Sequence, residues 1–190
     1  MRFGVGTGLL AFALLAQGAS AASRFAIDRE SLSAAILSET NRERAAHGLT
    51  PLQGDTRLAR AADGHTKFLT LIGGIRHESF LPGRETVNDR VRAEGLKSAF
   101  VSENLALIPV HPKVIRGRAG GGGVEIVPGE EVDMRVDQLA AKFVRAWLDS
   151  PGHRENLLNP KFTHLGCAVQ TGTGPAAVMF VYSAQVFARL

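Results

Sequence analysis

Apolar positions in this chain follow a helical rhythm in its first half and a denser, β-branched pattern near its end. Leu32, Ala35 and Ile36 form a short stripe between Asp28 and Gly48. The pattern predicts a helix from about Arg29 to His47, capped by Asp28 and stopped by Gly48, with Pro51 beyond. Leu58, Ala62, His65, Leu69 and Ile72 then recur at spacings of four, three, four and three. That is one helical face, so a helix is predicted over Thr56 to Ile72, with Asp55 as its cap and Gly73-Gly74 as its end. His65 falls on the buried stripe, where a hydrogen-bonded core histidine is the first reading and a ligand the second.

Thr86 to Glu94 reads as a short helix with Val87 and Val91 inward and Gly95 as its stop. Ala99 to Pro109 is apolar and partly β-branched, so it reads as a strand, with Glu103 and Asn104 set into it. An acid and an amide inside an apolar run need partners, because burying them unpaired is costly. Residues 111–131 hold four consecutive glycines, Gly120 to Gly123, and form a long irregular loop with a short strand over 124–127. The loop lacks the Gly-Lys-Ser/Thr ending of a phosphate-binding loop.

Val136, Ala140, Phe143 and Trp147 restore the helical rhythm in a helix capped by Asp133 and running to Ser150. Ser150-Pro151-Gly152 breaks it, presents His153 at a corner, and a short helical run follows. The chain closes with strands over about Thr163 to Gln170 and Ala177 to Ala188, joined by a turn at 171–175. Helices come early and antiparallel strands late. The expected class is α+β, with a small antiparallel sheet layered between helices.

Composition adds compartment more than fold. Arg2, the apolar run Gly8 to Ala16 and Ala19-Ser20-Ala21 read as a secretory signal cleaved after Ala21. This gives a signal peptide over 1–21 and one domain over 22–190. No transmembrane segment is expected after cleavage, because the apolar run is too short to span a bilayer. The single cysteine, Cys167, lies in an apolar run and reads as a small buried residue, so no disulfide framework is expected. The net charge of +4 is spread along the chain with no basic stripe interleaved with aromatics, so no nucleic-acid partner is expected.

Several ordered segments carry a family resemblance. They are Asn41-Arg42-Glu43-Arg44, Gly48 through Leu52, Asp55 through Leu58, Ala61-Ala62, His65 and His77. Asp89-Arg90, Gly95, Ser102 through Ala106, Trp147 through Pro160 and Leu165-Gly166 follow. Together they resemble a bacterial secreted member of the CAP superfamily, the SCP-like or cysteine-rich secretory protein/pathogenesis-related-1-like proteins. The resemblance covers about residues 30 to 188 and implies an α-β-α sandwich with a central cleft. It places His77, Glu103 and His153 in that cleft as ligands of one divalent cation, Zn²⁺ or Mg²⁺. Asn104, Trp147 and His65 are expected to support the cleft. The chain departs from the family at Ser102, where glycine is common. Where animal members carry a second acid, it offers only the neighbourhood of Asp149 and Ser150.

Two imidazoles and a carboxylate suit Zn²⁺ or a similar ion with an open position. Mutual satisfaction of the three groups is the structural alternative. The functional expectation is a secreted, periplasmic or extracellular, non-catalytic binding module, taking an envelope lipid, glycan or protein. The alternatives are a metal-dependent, peptidase-like hydrolase using the same cleft, and a lipid-binding protein. No Gly-x-Ser-x-Gly elbow marks a nucleophile.

Overall fold

The computed structural model describes residues 27–97, 100–110, 115–116, 126–127, 135–173 and 179–190. The leader over 1–21, Asp133, most of the 111–131 loop and the turn residues Gly174 and Pro175 lie outside them.

The first helix, α1, spans Arg29–Ala46, and the Asp28 carboxylate accepts from the Glu30 and Ser31 amides at its start. Such a cap contributes about 1 kcal/mol by satisfying amides that lack an intrahelical partner. A two-residue strand, β1 (Gln53–Gly54), leads into α2 (Thr56–Ile72), capped by Asp55 as the sequence implies. Gly73 ends α2 with φ 65°, a left-handed conformation that a residue with Cβ resists. The third helix, α3, is Val87–Ala93, one residue shorter at each end than expected. Thr86 serves as its N-cap in a capping box with Asp89, and Glu94 is its C-cap.

Strand β2 spans Val101–Val110, and the short pair β3 (Ile115–Arg116) and β4 (Ile126–Val127) falls within the long loop. Helix α4 is Val136–Asp149. Arg135 stands at its cap position without a side-chain cap bond, so the helix begins later than an Asp133 cap implies. Helix α5 (Pro151–Leu157) follows at once, with Pro151 in its first turn, where a missing N–H costs nothing. His153 therefore sits within the first turn of α5. Strands β5 (His164–Thr173) and β6 (Met179–Ala188) complete the fold.

The main sheet has the order β1-β5-β6-β2. The three long strands are antiparallel, as expected. Strand β1 adds a parallel pairing with His164 and Leu165 of β5, which makes the sheet mixed. Alternation along the strands feeds two cores. One face carries Leu165, Cys167, Val169 and Phe187 against α1, α4 and α5, around Leu32, Ile36, Phe143 and Trp147. The other carries Ala168, Tyr182, Ala184 and Val186 against α2 and α3. Helix α2 crosses β5 so closely that a Cβ on Gly166 would sit 2.1 Å from the Ala59 nitrogen. Cys167 is buried, and burial pushes its thiol far up, which keeps it protonated and inert. No helix among the described residues is long and apolar enough to cross a membrane.

Candidate functional site

Strand β2 is the edge of the main sheet away from β1, and its alternation splits the Glu-Asn pair. Glu103 points toward α3 and the loop after α2, and Asn104 toward α5. A cleft of about 460 Å³ opens at this edge. His77, Glu103 and His153 all line it, beside Glu78, Ser102 and Asn156. Residues far apart in sequence thus meet because an edge strand, a braced loop and a short helix converge there.

Glu103 is the centre of the floor. One carboxylate oxygen accepts from Arg90 Nη2 at 2.7 Å, and both side chains are only 2% exposed. The other lies 3.1 Å from His77 Nδ1 and 3.8 Å from His65 Nε2. A carboxylate can only accept, so Nδ1 of His77 carries the proton and Nε2 is left as the free nitrogen. Arg90 also donates to the His77 carbonyl at 3.2 Å, so one arginine fixes both the acid and the loop that carries the histidine.

The hydrogen bond that His77 donates to Glu103 holds its ring above the ordinary histidine range, against a smaller opposing effect of burial. Burial pushes His65 down, and the Glu103 charge only partly offsets it. His65 Nε2 donates to the Arg76 carbonyl at 2.9 Å, so His65 braces the loop from the core. Burial, and after it the neighbouring His77 charge, lower His153. The two cleft imidazoles are therefore driven apart, one toward imidazolium and one toward neutral imidazole.

His153 is held through its backbone. Asn104 Nδ2 donates to the His153 carbonyl at 3.0 Å and to Gln185 Oε1 at 3.2 Å. Gln185 Nε2 continues the chain to Thr40 Oγ1 at 2.8 Å, reaching α1. On the cleft side, Asn156 Nδ2 donates to Asn104 Oδ1 at 2.9 Å and Ser102 Oγ to Asn156 Oδ1 at 2.7 Å. Buried amides with every group paired rigidify what they connect. Arg44, buried in α1, donates to the Leu157 and Asn159 carbonyls at 2.9 and 3.0 Å and anchors the far end of α5. Trp147 lies fully buried in the α1/α4 core, 5.7 Å from Phe143 between ring centres, and does not line the cleft.

The sequence assigns no role in the cleft to Arg90, Asn156 or Gln185. Arg90 was the most accessible of these: it stands three residues after Val87 and beside Val91, on the inward face of α3, where an arginine requires a buried acid. Asp149, in the neighbourhood where animal members of the family carry a second acid, forms an ion pair with Arg145 at 3.2 Å, and Ser150 lines the cleft. Glu78 is the second carboxylate-bearing residue on the cleft wall.

The Glu103 carboxylate is engaged on both oxygens, by Arg90 and by His77. The Glu103 carboxylate already faces a guanidinium, whose charge opposes a cation placed beside it. Among the described residues no three His, Cys, Asp or Glu side chains are grouped to hold a metal ion. Nor does a cleft serine hydrogen-bond a histidine: Ser102 donates to Asn156.

Comparison with known proteins places this geometry in a family. The profile of the cysteine-rich secretory protein family, CAP, matches residues 37–186. YkwD of Bacillus subtilis is 30% identical over 139 residues, covering 73% of this chain and 42% of the relative. The chain thus spans less than half the length of that curated relative. An extracellular protein containing an SCP domain from Bacillus anthracis is 26% identical, with a TM-score of 0.57, and the match covers 85% of this chain and 41% of the other. An outer surface protein of Borrelia burgdorferi shares the fold at 19% identity and a TM-score of 0.57, over 86% of this chain and 97% of its own. With most of its length matched and the expected α+β sandwich in place, this chain belongs to the cysteine-rich secretory protein (CAP) family.

Proposed function

We propose that this chain is a secreted, non-catalytic binding module of the cell envelope, and that the edge cleft takes a polar ligand, a glycan or a peptide group, by hydrogen bonding. The observation that carries this is the neutralisation of Glu103 by Arg90 at 2.7 Å in a buried floor. A hydrolytic site needs a water-facing base and, in its metal-dependent form, an ion to activate that water. Here the central carboxylate is spent on a guanidinium and an imidazole. What remains facing the cleft is a set of hydrogen-bonding groups: the free His77 nitrogen, the His153 ring, the Ser102 and Asn156 side chains, and the Glu78 carboxylate at the rim, which is the one acid left to a hydrolase. Secretion is supported by the leader-like N-terminus and by structural relatives described as extracellular and outer-surface proteins.

The test has two arms. Peptidoglycan fragments and short peptides are titrated into the protein while the ring resonances of His77 and His153 are followed by NMR. Saturable shifts that His77→Ala plus His153→Ala abolishes, with no turnover of the added compound, are expected. In the second arm Zn²⁺ and Mg²⁺ are titrated calorimetrically after chelator treatment. One-to-one cation binding lost in the same double variant would overturn the hydrogen-bonding assignment. It would restore the divalent-cation site on His77, Glu103 and His153, and with it the hydrolase alternative.

A further inference from the structure

The hydrogen bonds behind the cleft all run in one direction. Thr40 Oγ1 lies 2.7 Å from the Ile36 carbonyl, which can only accept, so the threonine hydrogen is committed there. Thr40 must then accept from Gln185 Nε2 at 2.8 Å, which turns Gln185 Oε1 toward Asn104 Nδ2 at 3.2 Å. The His153 carbonyl fixes Asn104 independently, because it too can only accept, from Nδ2 at 3.0 Å. Asn104 Oδ1 is therefore left to take a hydrogen from Asn156 Nδ2 at 2.9 Å. The other Nδ2 hydrogen of Asn156 goes to the Glu103 carbonyl at 3.4 Å, and its Oδ1 accepts from Ser102 Oγ at 2.7 Å. The direction is thus from Ser102 through Asn156, Asn104, Gln185 and Thr40 to the Ile36 carbonyl. Bonds aligned in this way strengthen one another.

The consequence falls on the cleft lining. Ser102 sends its only hydrogen inward and keeps lone pairs alone for a ligand. Asn156 has both amide hydrogens committed and keeps one lone pair on Oδ1. Thr86 gives its hydrogen to the Asp89 carboxylate at 2.6 Å and likewise keeps only acceptor capacity. Glu78 is exposed and forms no ion pair with another described residue. All four line the cavity. Among the lining side chains, hydrogens remain only on the Ser150 hydroxyl and the two imidazoles. The guanidinium under the floor, that of Arg90, is held by Glu103, and Arg76 is not part of the lining. A site for a carboxylate or phosphate needs donors, and these side chains are mostly acceptors.

We infer that the cleft selects a primary alkylammonium group, as a lysine-type side chain of a peptide carries, and that Ser102 sets this preference. The inference rests on the reading of the cleft as a hydrogen-bonding site. An ammonium brings three donors and no acceptor, which matches such a lining, whereas an acetylated amine brings one donor and a carbonyl with few donors to meet it. A single free carboxylate among neutral oxygens suits one positive charge better than two. Glycine is common in the family where Ser102 stands, so the acceptor is a feature of this chain.

The test compares a tripeptide blocked at both ends, with lysine at its centre, and the same tripeptide acetylated on the lysine amine. Each is titrated into the full chain while the His153 ring resonance is followed by NMR. Measurements are made on the alkaline side of the His77 titration, where that ring no longer opposes a cation and the lysine amine stays charged. The amine form is expected to bind about tenfold more tightly than its acetylated twin. Ser102→Ala should weaken the amine form about fivefold and leave the acetylated form unchanged. Glu78→Gln, at an exposed position, should weaken the amine form about threefold with an unchanged melting temperature. Equal binding of the two tripeptides, or an undiminished preference in both variants, overturns the inference and leaves the cleft open to another ligand. If neither tripeptide binds while peptidoglycan fragments do, the ammonium assignment falls alone. If nothing binds, it falls together with the binding-module reading. One-to-one Mg²⁺ binding that Glu78→Gln abolishes would assign these acceptors to a metal ion instead.

Discussion

Replacing Arg90 with methionine should be among the most destabilising single changes in this protein. The guanidinium and the Glu103 carboxylate meet at 2.7 Å with both side chains 2% exposed. Methionine fills much of the same volume but leaves the carboxylate buried without its cation, a loss of about 3–5 kcal/mol. It also releases the His77 carbonyl, which Arg90 holds at 3.2 Å. Glu103→Gln in the same background removes the orphaned charge. The double variant should therefore lose about 2 kcal/mol less than the two single losses added together. Urea unfolding at neutral pH, followed by far-ultraviolet circular dichroism, gives all three values. A loss below about 1 kcal/mol for Arg90→Met, or simple additivity in the double variant, would refute the view that a desolvated ion pair forms the cleft floor. Glu103→Gln alone should also let the His77 pKa fall, because the hydrogen bond that raises it is weakened.

The other predictions concern pH and packing. Ring resonances should titrate above the free histidine value near 6.5 for His77 and below it for His65 and His153. The His77 contribution to stability is then complete below about 6.5 and fades as pH rises through its higher folded value. The contributions of His65 and His153 are complete above about 6.5 and are lost as pH falls through their lower folded values. A His65→Phe variant should accordingly lose less stability between pH 7 and 5 than the parent, and an identical acid limb in both would contradict this. Asn104→Ala removes the clamp on the His153 carbonyl and leaves Gln185 and Asn156 short of partners. A loss of about 1–3 kcal/mol is expected, together with shifted His153 resonances. Gly166→Ala drives a methyl into the backbone of α2 at 2.1 Å, so the helix must move off β5, and a lowered melting temperature with loss of about 3 kcal/mol should follow.

The individual elements were legible in the order of residues alone. Asp28, Asp55 and Gly73 delimit α1 and α2 because caps and left-handed glycines act locally, within a turn of the residues they satisfy. The four-three rhythm placed His65 and Trp147 on buried stripes, and burial bears that out. Resemblance in ordered motifs gave the family and the sandwich. Local signals weakened where the cause was not local. Helix α4 starts without a side-chain cap, and β1 pairs in parallel with a strand more than a hundred residues later.

The cleft, by contrast, exists only once the chain is folded. His77, Glu103 and His153 sit on a loop, an edge strand and a helix, and no spacing rule connects residues that meet only when a sheet edge is closed from both faces. The partner of Glu103 was settled by folding too. The family resemblance implied a carboxylate and two histidines around a cation. The fold set Arg90 of α3 against that carboxylate at 2.7 Å, a buried charge-assisted hydrogen bond that no local pattern in the sequence links to Glu103.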